Sequence, residues 1–316
     1  NNRENPFFLF LHTYRPHMPY RAPKDLTEKL LENYNGVFRD AARRGAEMTH
    51  PEALKPSELQ IRYANDLKYQ RARTREDREF LRKLYDAGVT DADREVGAVF
   101  DLLKKLGVYD RVLIVVTSDH GEEFFEHGLD SHYTAYDECI RVPLIVRMPG
   151  GEGAGVTIEE TFSSVHLTPT ILQLANVLID IPFEGHPYGR EILSGSLDRE
   201  YDAFASWSFI PGRQFPTGQV VRSRTQKFIK MDHLDEGPDW LKKVGDKLFF
   251  DLRADPKERK NIYPLDPKRA AGLEELLKTQ AAEWEMYKNR FGSGLTAPED
   301  LSESALRDLE AVGYVR

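Results

Sequence analysis

The chain has 316 residues, of which 40% are hydrophobic and 30% are charged, and its formal net charge is −8. A chain of this length can bury a large core and is expected to form a main domain and a smaller one. The acidic balance argues against a nucleic-acid-binding protein, which needs a basic face. No apolar run reaches the roughly 20 residues that span a bilayer. The single cysteine, Cys139, excludes an intrachain disulfide, and its apolar surroundings predict a small buried thiol.

The first third of the chain is predicted to combine one strand with several helices. The apolar run Phe7 to Leu11 predicts a short buried strand that ends in the loop "HTYRPHMPYRAP". Residues 25 to 65 are polar and mixed, and they predict short helices. Apolar residues from Asp77 to Leu106 recur mostly at helical spacing, and Gly107 is a natural terminator. Gly88 to Thr90 can kink or split this helix.

The middle third alternates between strands and helices. Val112 to Thr117 and Pro143 to Arg147 predict two strands, and a helix is predicted at Thr168 to Val177. Thr168 is placed as the N-cap of that helix, with Pro169 at its first position. This alternation predicts an α/β fold with a mixed, mostly parallel central sheet flanked by helices.

The pattern changes at about residue 199. The stretches "GQVVRSRTQKFIKM" and "KLFFDL" predict strands of an antiparallel sheet. Ala270 to Phe291 carries apolar residues along one side of a helix, and the tail "LSESALRDLEAVGYVR" predicts a short capped helix. We therefore predict a main α/β domain at residues 1–198 and a smaller C-terminal α+β subdomain at residues 199–316.

One strand-end loop contains a candidate metal pair. In open α/β sheets, ligands bind beyond the carboxyl ends of the strands. Asp119 and His120 directly follow the strand in "VLIVVTSDHGEEFFEHG", and a carboxylate oxygen with an imidazole nitrogen suits a divalent cation. The alternative is that Asp119 only caps the turn while His120 packs. The acidic residues of the same loop are expected to be solvated: Glu122, Glu123 and Glu126.

Four further histidines lie in the two strand-end loops. His17 sits between prolines that stiffen its backbone, so its imidazole can bind an anion or transfer a proton. A packed, structural His17 is the alternative. His12 directly follows the first strand, and this position favours a structural or supporting role. His127 and His132 lie beyond the metal pair, and His132 taken alone fits a surface position as well.

Five motifs of this sequence occur in the order found in one protein family. They are "FFLFLHTYRPHMPYRAP", "VLIVVTSDHGEEFFEHG", "YDECIRVPLIVRMPG", "VHLTPTILQLANV" and "LFFDLRADPKERKNI". The chain resembles sulfatases, which belong to the alkaline-phosphatase superfamily of metal-dependent phospho- and sulfohydrolases. The resemblance covers residues 7 to 263. It implies a large α/β domain followed by a small C-terminal domain of antiparallel strands and a helix.

The resemblance implies a role for each candidate residue. Asp119 and His120 match the second pair of metal ligands. His17 matches a histidine that contacts the sulfate group or its leaving oxygen. His132 lies where sulfatases place a Lys or His on the substrate anion. The remaining candidates are pocket neighbours that would also face the substrate: His12 and His127.

The sequence departs from the family in one respect. Sulfatases carry an N-terminal Asp-Asp metal pair and a Cys/Ser-x-Pro/Ala-x-Arg motif, whose Cys or Ser becomes the formylglycine nucleophile. Neither occurs here, because Cys139 is followed by Ile-Arg-Val. We therefore expect an N-terminally truncated member that is inactive by itself. The family implies calcium as the cofactor, while the softer imidazole ligand leaves Mn²⁺, Mg²⁺ or Zn²⁺ open.

The expected function is that of a sulfuric ester hydrolase acting on a small anionic sulfate ester or a sulfated glycan. A phosphodiester or phosphonate monoester hydrolase of the same superfamily is the first alternative. A catalytically inactive, sulfatase-like binding module is the second. The sequence leaves the cellular compartment, the oligomeric state and the natural substrate open.

Overall fold

The computed structural model describes residues 5–18, 20–47, 74–128, 130–132, 134–178, 183–197, 202–207, 217–232 and 245–291. The chain divides into two compact units, of which the first runs to Gly107 and the second begins at Val108. The predicted domain boundary at residues 198 and 199 falls inside the second unit and stays a prediction. Within the described ranges, no helix is long and apolar enough to cross a membrane.

The first unit is helical over most of its described length. It contains α1 (Lys24–Leu31) and α2 (Arg39–Glu47), in the region where short helices were predicted, and the long α3 (Arg75–Lys105), which the apolar spacing predicted. Residues 48 to 65 of that region lie outside the described residues. Helix α3 begins with a capping box, in which the Thr74 side chain accepts from the Asp77 amide and the Asp77 carboxylate accepts from the Thr74 amide.

Helix α3 continues through Gly88 without a break. A Cβ atom at Gly88 would lie 2.8 Å from the Arg15 carbonyl oxygen. The glycine therefore allows the loop that carries His17 to pass close to the helix, and it neither kinks nor splits the helix.

The prediction of a buried strand at Phe7 to Leu11 is wrong for this structure. The segment is not part of a sheet, and its five residues are between 57% and 82% exposed. A strand needs a neighbour that satisfies its backbone N–H and C=O groups. None of the strands in the described part of the chain pairs with this segment.

The first half of the second unit contains the strands that flank the candidate metal pair. Strands β1 (Ile114–Thr117) and β4 (Leu144–Arg147) pair antiparallel, and both were predicted with slightly wider bounds. Between them lie the short strands β2 (Glu123–Phe124) and β3 (Asp130–Ser131), which also pair antiparallel. They are followed by the one-turn helix α4 (Asp137–Ile140). Every pairing among the described strands is antiparallel, so the predicted parallel pairs do not occur within this part of the chain.

Two helices follow these strands, α5 (Leu167–Leu174) and α6 (Gly189–Ser194). The prediction of Thr168 as an N-cap is wrong, because a 3₁₀ turn at Ser164–His166 leads straight into α5 and places His166 at the cap. Pro169 lies in the first turn of α5, where an N–H group is not needed.

The C-terminal part of the second unit is an antiparallel sheet with a helix, as predicted. The strands are β5 (Ala203–Trp207), β6 (Thr217–Arg222), β7 (Gln226–Asp232) and β8 (Lys247–Asp251), and they lie side by side in chain order. Helix α7 (Pro267–Phe291) follows. Strand β5 was not predicted, and the predicted tail helix lies outside the described residues.

Both faces of this sheet are covered. One face forms an apolar cluster with Ala135, Tyr136 and Ile140, which belong to α4 and the residues before it. The opposite face packs against α7 through Ala270, Leu273 and Leu277. Because side chains alternate along a strand, successive residues of β6, β7 and β8 belong to these two faces in turn.

Candidate active site

The carboxyl end of β1 carries a tight turn that contains Asp119 and His120. The Ser118 hydroxyl donates to the His120 carbonyl at 2.6 Å, and the His120 amide donates to Asp119 Oδ1 at 3.0 Å. Oδ1 therefore caps the turn, as the structural alternative proposed. The second oxygen, Oδ2, lies 3.7 Å from His120 Nε2, so the same carboxylate also faces the imidazole.

The His120 ring is oriented by its own backbone. Its Nδ1 lies 2.9 Å from the Gly121 carbonyl oxygen, which can only accept a hydrogen bond. Nδ1 therefore carries a proton, and Nε2, which faces Asp119, is the ring nitrogen that can bind a cation. Metal-binding histidines are commonly fixed in this way by a carbonyl group on the other nitrogen.

The donor set fits a divalent cation. Metal–ligand distances of about 2.3 Å allow one ion to contact two atoms that are 3.7 Å apart. The side chains of His120 and Asp119 are 30% and 56% exposed, so the space beside them is accessible. Partial burial raises the pKa of Asp119, but His120 and the hydrogen bonds to the carboxylate outweigh it and hold the pKa below the ordinary value. Asp119 is therefore ionised at neutral pH, as a ligand must be.

His132 lies directly against the candidate metal pair. Its ring stacks on the His120 ring with 4.0 Å between centroids, and its Nδ1 lies 3.4 Å from Glu122 Oε1. The Glu122 side chain is only 5% exposed. The structure thus brings Asp119, His120 and His132 into one cluster and places a buried carboxylate behind His132.

His127 is turned into the protein instead. Its ring is 8% exposed, stacks on Tyr136 at 3.6 Å between centroids, and places Nε2 3.2 Å from Glu138 Oε2. These contacts favour a supporting role for His127, and its predicted contact with substrate stays a prediction.

Glu123 corrects the expectation that the acidic residues of this loop are solvated. Its side chain is fully buried and accepts from the Thr134 hydroxyl and the His127 amide, each at 2.9 Å. Burial raises the pKa of Glu123 to about 7. The Glu122 side chain is also only 5% exposed, whereas Glu126 is exposed as expected. The sequence from Glu122 to Glu126 contains no signal that would have distinguished the two buried carboxylates from the exposed one.

A second group of possible metal ligands lies behind the loop. Ligand atoms of His127, Glu138 and Glu258 all lie within 4.8 Å of one another. However, the Lys227 ammonium is 2.7 Å from Glu258 Oε1 and is itself fully buried. A lysine therefore already supplies the positive charge that a cation would bring to this carboxylate.

His12 and His17 belong to the first unit, whereas the other four candidates belong to the second. The His17 amide donates to the Tyr14 carbonyl at 3.1 Å, its Nδ1 contacts the Met18 carbonyl, and its ring lies edge-on to Tyr14. The His12 ring packs on the same Tyr14 ring, with the two centroids 4.5 Å apart. The turn thus holds both imidazoles around one tyrosine.

The loop that bears His17 is attached to α3 by ion pairs. Arg15 contacts Glu95 at 2.7 Å and Asp91 at 3.2 Å, and the Thr13 hydroxyl donates to Glu95 at 3.2 Å. These contacts and the close approach at Gly88 fix the loop on one side of the helix.

Two family models match the chain. A model described as Sulfatase matches residues 1–177, and a model described as N-sulphoglucosamine sulphohydrolase, C-terminal, matches residues 125–286. The matches overlap across the loop that contains His127 and His132.

Similar proteins support this match. The chain is 30% identical over 186 residues to an N-acetylglucosamine-6-O-sulfatase from Bacteroides thetaiotaomicron, an alignment that covers 57% of this chain and 31% of the relative. It is 29% identical over 289 residues to a multifunctional alkaline phosphatase superfamily protein, PehA, from Trinickia caryophylli, which covers 84% of this chain and 53% of the relative. The chain therefore spans from about a third to about half of the length of these relatives.

A solved structure supports the fold. A protein solved in complex with its substrate D-glucosamine-2-N,6-O-disulfate superimposes with a TM-score of 0.55 at 19% identity, over 87% of this chain and 60% of the other. At this identity the likeness concerns the fold, and it confirms the predicted α/β class.

Proposed function

Because this chain belongs to the sulfatase family, we propose that the complete protein is a sulfuric ester hydrolase. The observation that supports this most directly is the cluster at the end of β1. Asp119 Oδ2 and His120 Nε2 lie 3.7 Å apart, and His132 is stacked on the same imidazole. A cation-binding pair beside a further imidazole is what the cleavage of an anionic ester requires.

We assign the binding of a divalent cation to Asp119 and His120, with calcium as the expected ion. A carboxylate is a hard ligand that suits calcium, and the imidazole also permits manganese, magnesium or zinc. When bound, the cation withdraws charge from the non-bridging oxygens of the ester. These two residues supply only part of a shell of six or more ligands, so other groups must complete the site.

His132 is assigned to the substrate anion. Its ring is held by the stack on His120 and by Glu122, so in the imidazolium form the nitrogen that does not face Glu122 can donate to an ester oxygen. Such a donor offsets negative charge that develops in the transition state. His17 keeps its predicted role of contacting a sulfate group or protonating a leaving alcohol, which an imidazole can do near neutral pH.

The substrate is proposed to be a sulfate ester of a sugar. The support is the similarity to an N-acetylglucosamine-6-O-sulfatase, of which this chain covers 31%. The alternative is a phosphodiester or phosphonate monoester, and the similarity to a multifunctional alkaline phosphatase superfamily protein keeps it open. The family's formylglycine motif does not occur in these 316 residues, so an inactive binding module is the third candidate.

The proposed activity should be tested on the protein encoded by the complete open reading frame. This protein should hydrolyse 4-nitrophenyl sulfate and glucosamine-6-sulfate faster than bis(4-nitrophenyl) phosphate. Asp119→Asn should lower the sulfatase rate by about 100-fold or more, because a metal ligand is lost. Asp110→Asn, which changes an exposed carboxylate near the start of β1, is the control. A preference for the phosphodiester would support the alternative, and no hydrolysis of either ester would support the binding module.

A further inference from the structure

A group of buried charges lies between the candidate metal loop and the C-terminal sheet, and the proposed function does not use it. It comprises Asp137 at the start of α4, Arg222 on β6, Lys227 on β7 and Glu258 after β8. The side chains of these residues are between 0% and 18% exposed. We refer to these four residues as the ion cluster.

The sheet places two cations side by side. Arg222 and Lys227 are directly paired in the β6–β7 register, and both belong to the face that packs against α4. Like charges in directly opposed positions repel each other, and burial strengthens the repulsion. This pair is therefore unfavourable unless anions lie next to it.

The anions come from α4 and from the loop after β8. Asp137 accepts from Lys227 Nζ at 2.8 Å and from Arg222 Nε and Nη2, each at 2.9 Å. Glu258 Oε1 lies 2.7 Å from Lys227 Nζ, and its Oε2 accepts from the Asp137 amide at 2.6 Å. Burial raises the pKa of Asp137, but its two cations outweigh this and lower the pKa to about 2. The start of α4 is thus attached to the sheet by both its side chain and its backbone.

Helix α4 in turn contacts the candidate metal loop. The Cys139 carbonyl accepts from the Gly121 amide at 2.7 Å, and Gly121 follows His120 directly. A Cβ at Gly121 would lie 2.1 Å from the Glu138 carbonyl oxygen, so the two backbones are in close contact. Glu138 also holds His127 at 3.2 Å.

We propose that the ion cluster positions the Asp119–His120 pair by fixing α4 against the C-terminal sheet. Arg222, Lys227 and Glu258 are positioning residues in this view, since each acts on the pair through Asp137 and α4. The expected effect of the ion cluster on metal binding rests on the proposed function of Asp119 and His120 as metal ligands. Its expected effect on the position of the loop is independent of that function.

The first measurement is hydrogen exchange of the Gly121 amide in this chain. Glu258→Gln keeps the shape of the side chain and removes one of the charges that neutralise the cation pair. We expect the Gly121 amide to exchange at least about tenfold faster, relative to amides of the β6–β7 ladder, because a less firmly held α4 lets the Gly121–Cys139 hydrogen bond open locally more often. Asp137→Asn is the second variant and should act in the same direction.

The control is Val221→Ala. Val221 is fully buried in β6 but belongs to the opposite face, which packs on α7. This variant weakens the sheet without touching the ion cluster, so the ratio of the Gly121 rate to the ladder rates should stay unchanged. An unchanged ratio in both Glu258→Gln and Asp137→Asn, or an equal rise in Val221→Ala, would overturn the proposal.

The second measurement is the affinity for Mn²⁺, followed by the EPR signal of the free ion. Glu258→Gln should weaken binding by about 10-fold, the usual effect of losing a group that orients a ligand. Asp119→Asn should abolish binding. If Asp119→Asn binds Mn²⁺ normally while Glu258→Gln still speeds exchange at Gly121, the proposed metal pair is wrong and the positioning role stands. If only Asp119→Asn has an effect in both experiments, the positioning role is wrong.

Discussion

The loop that carries His17 and the loop that carries Asp119 and His120 are each supported by ion pairs, but the surroundings of these ion pairs differ. The His17 loop is attached to α3 by Arg15, whose partners Asp91 and Glu95 leave it 32% exposed. The loop after β1 is supported by an ion cluster in which Lys227 is 0% exposed. Water screens the first set of charges and hardly reaches the second. The strength with which each loop is held therefore depends on how deeply its ion pairs are buried and not on how many there are.

The comparison is tested most strongly by removing the charge at the centre of the ion cluster. Lys227→Met should lower the free energy of unfolding by about 3–5 kcal/mol, because Asp137 and Glu258 stay buried with one cation fewer. Urea unfolding measures the loss. Lys230→Met is the matched control, since Lys230 lies on the same strand, is 43% exposed and pairs with Asp232 at 3.2 Å. Similar losses in the two variants would contradict the view that burial separates these ion pairs.

A second prediction concerns pH and the buried carboxyl of Glu123. Its pKa is raised from 4.5 to about 7 in the folded protein. Between these two values the folded state holds a proton that the unfolded state has released, so stability falls as the pH rises. The loss between pH 4.5 and pH 8 should reach about 3 kcal/mol from this residue.

Glu123→Gln removes the ionisable group and keeps one acceptor oxygen for the His127 amide, while its NH2 group can donate to the Thr134 hydroxyl. As the pH rises from 5 to 8, the free energy of unfolding should therefore fall less in the variant than in the original protein. Urea titrations at each pH measure both values. Glu152→Gln, which changes an exposed carboxylate, corrects for the general effect of the substitution. A constant difference between Glu123→Gln and the original protein across this range would show that Glu123 ionises normally.

The smallest effect is expected in the His17 loop. Arg15→Ala should cost about 0.5–1 kcal/mol at low salt, and most of that difference should disappear in about 1 M NaCl. Arg75→Ala is the control, because Arg75 is 92% exposed and pairs with Glu79 on its own helix. A loss as large as that of Lys227→Met would mean that the first loop depends on charge as strongly as the second.

The sequence predicted the parts of the structure that depend on local pattern. Helices α3 and α7, strands β1 and β4 and the C-terminal antiparallel sheet were expected from apolar spacing and are present. The run Phe7 to Leu11 failed because a strand depends on a neighbour, which local pattern does not reveal. The missed N-cap at Thr168 reflects a 3₁₀ turn whose hydrogen bonds have no sequence signature.

The candidate site divides in the same way. Asp119 and His120 are adjacent in sequence, so their proximity in space followed from position alone. The stack of His132 on His120 required the hairpin of β2 and β3, which the sequence did not indicate. The ion cluster joins residues up to 121 positions apart, as between Asp137 and Glu258. Single-sequence reasoning about loop charges cannot find such a contact, and it placed Glu123 in solvent for the same reason.

The central claim is that Asp119 and His120 hold the cation, and the direct test is the position of the ion in crystals grown with Mn²⁺. An anomalous difference map should show a peak within about 2.5 Å of Asp119 and His120 Nε2, beside the ring of His132. A peak among His127, Glu138 and Glu258, with none at the end of β1, would contradict the account.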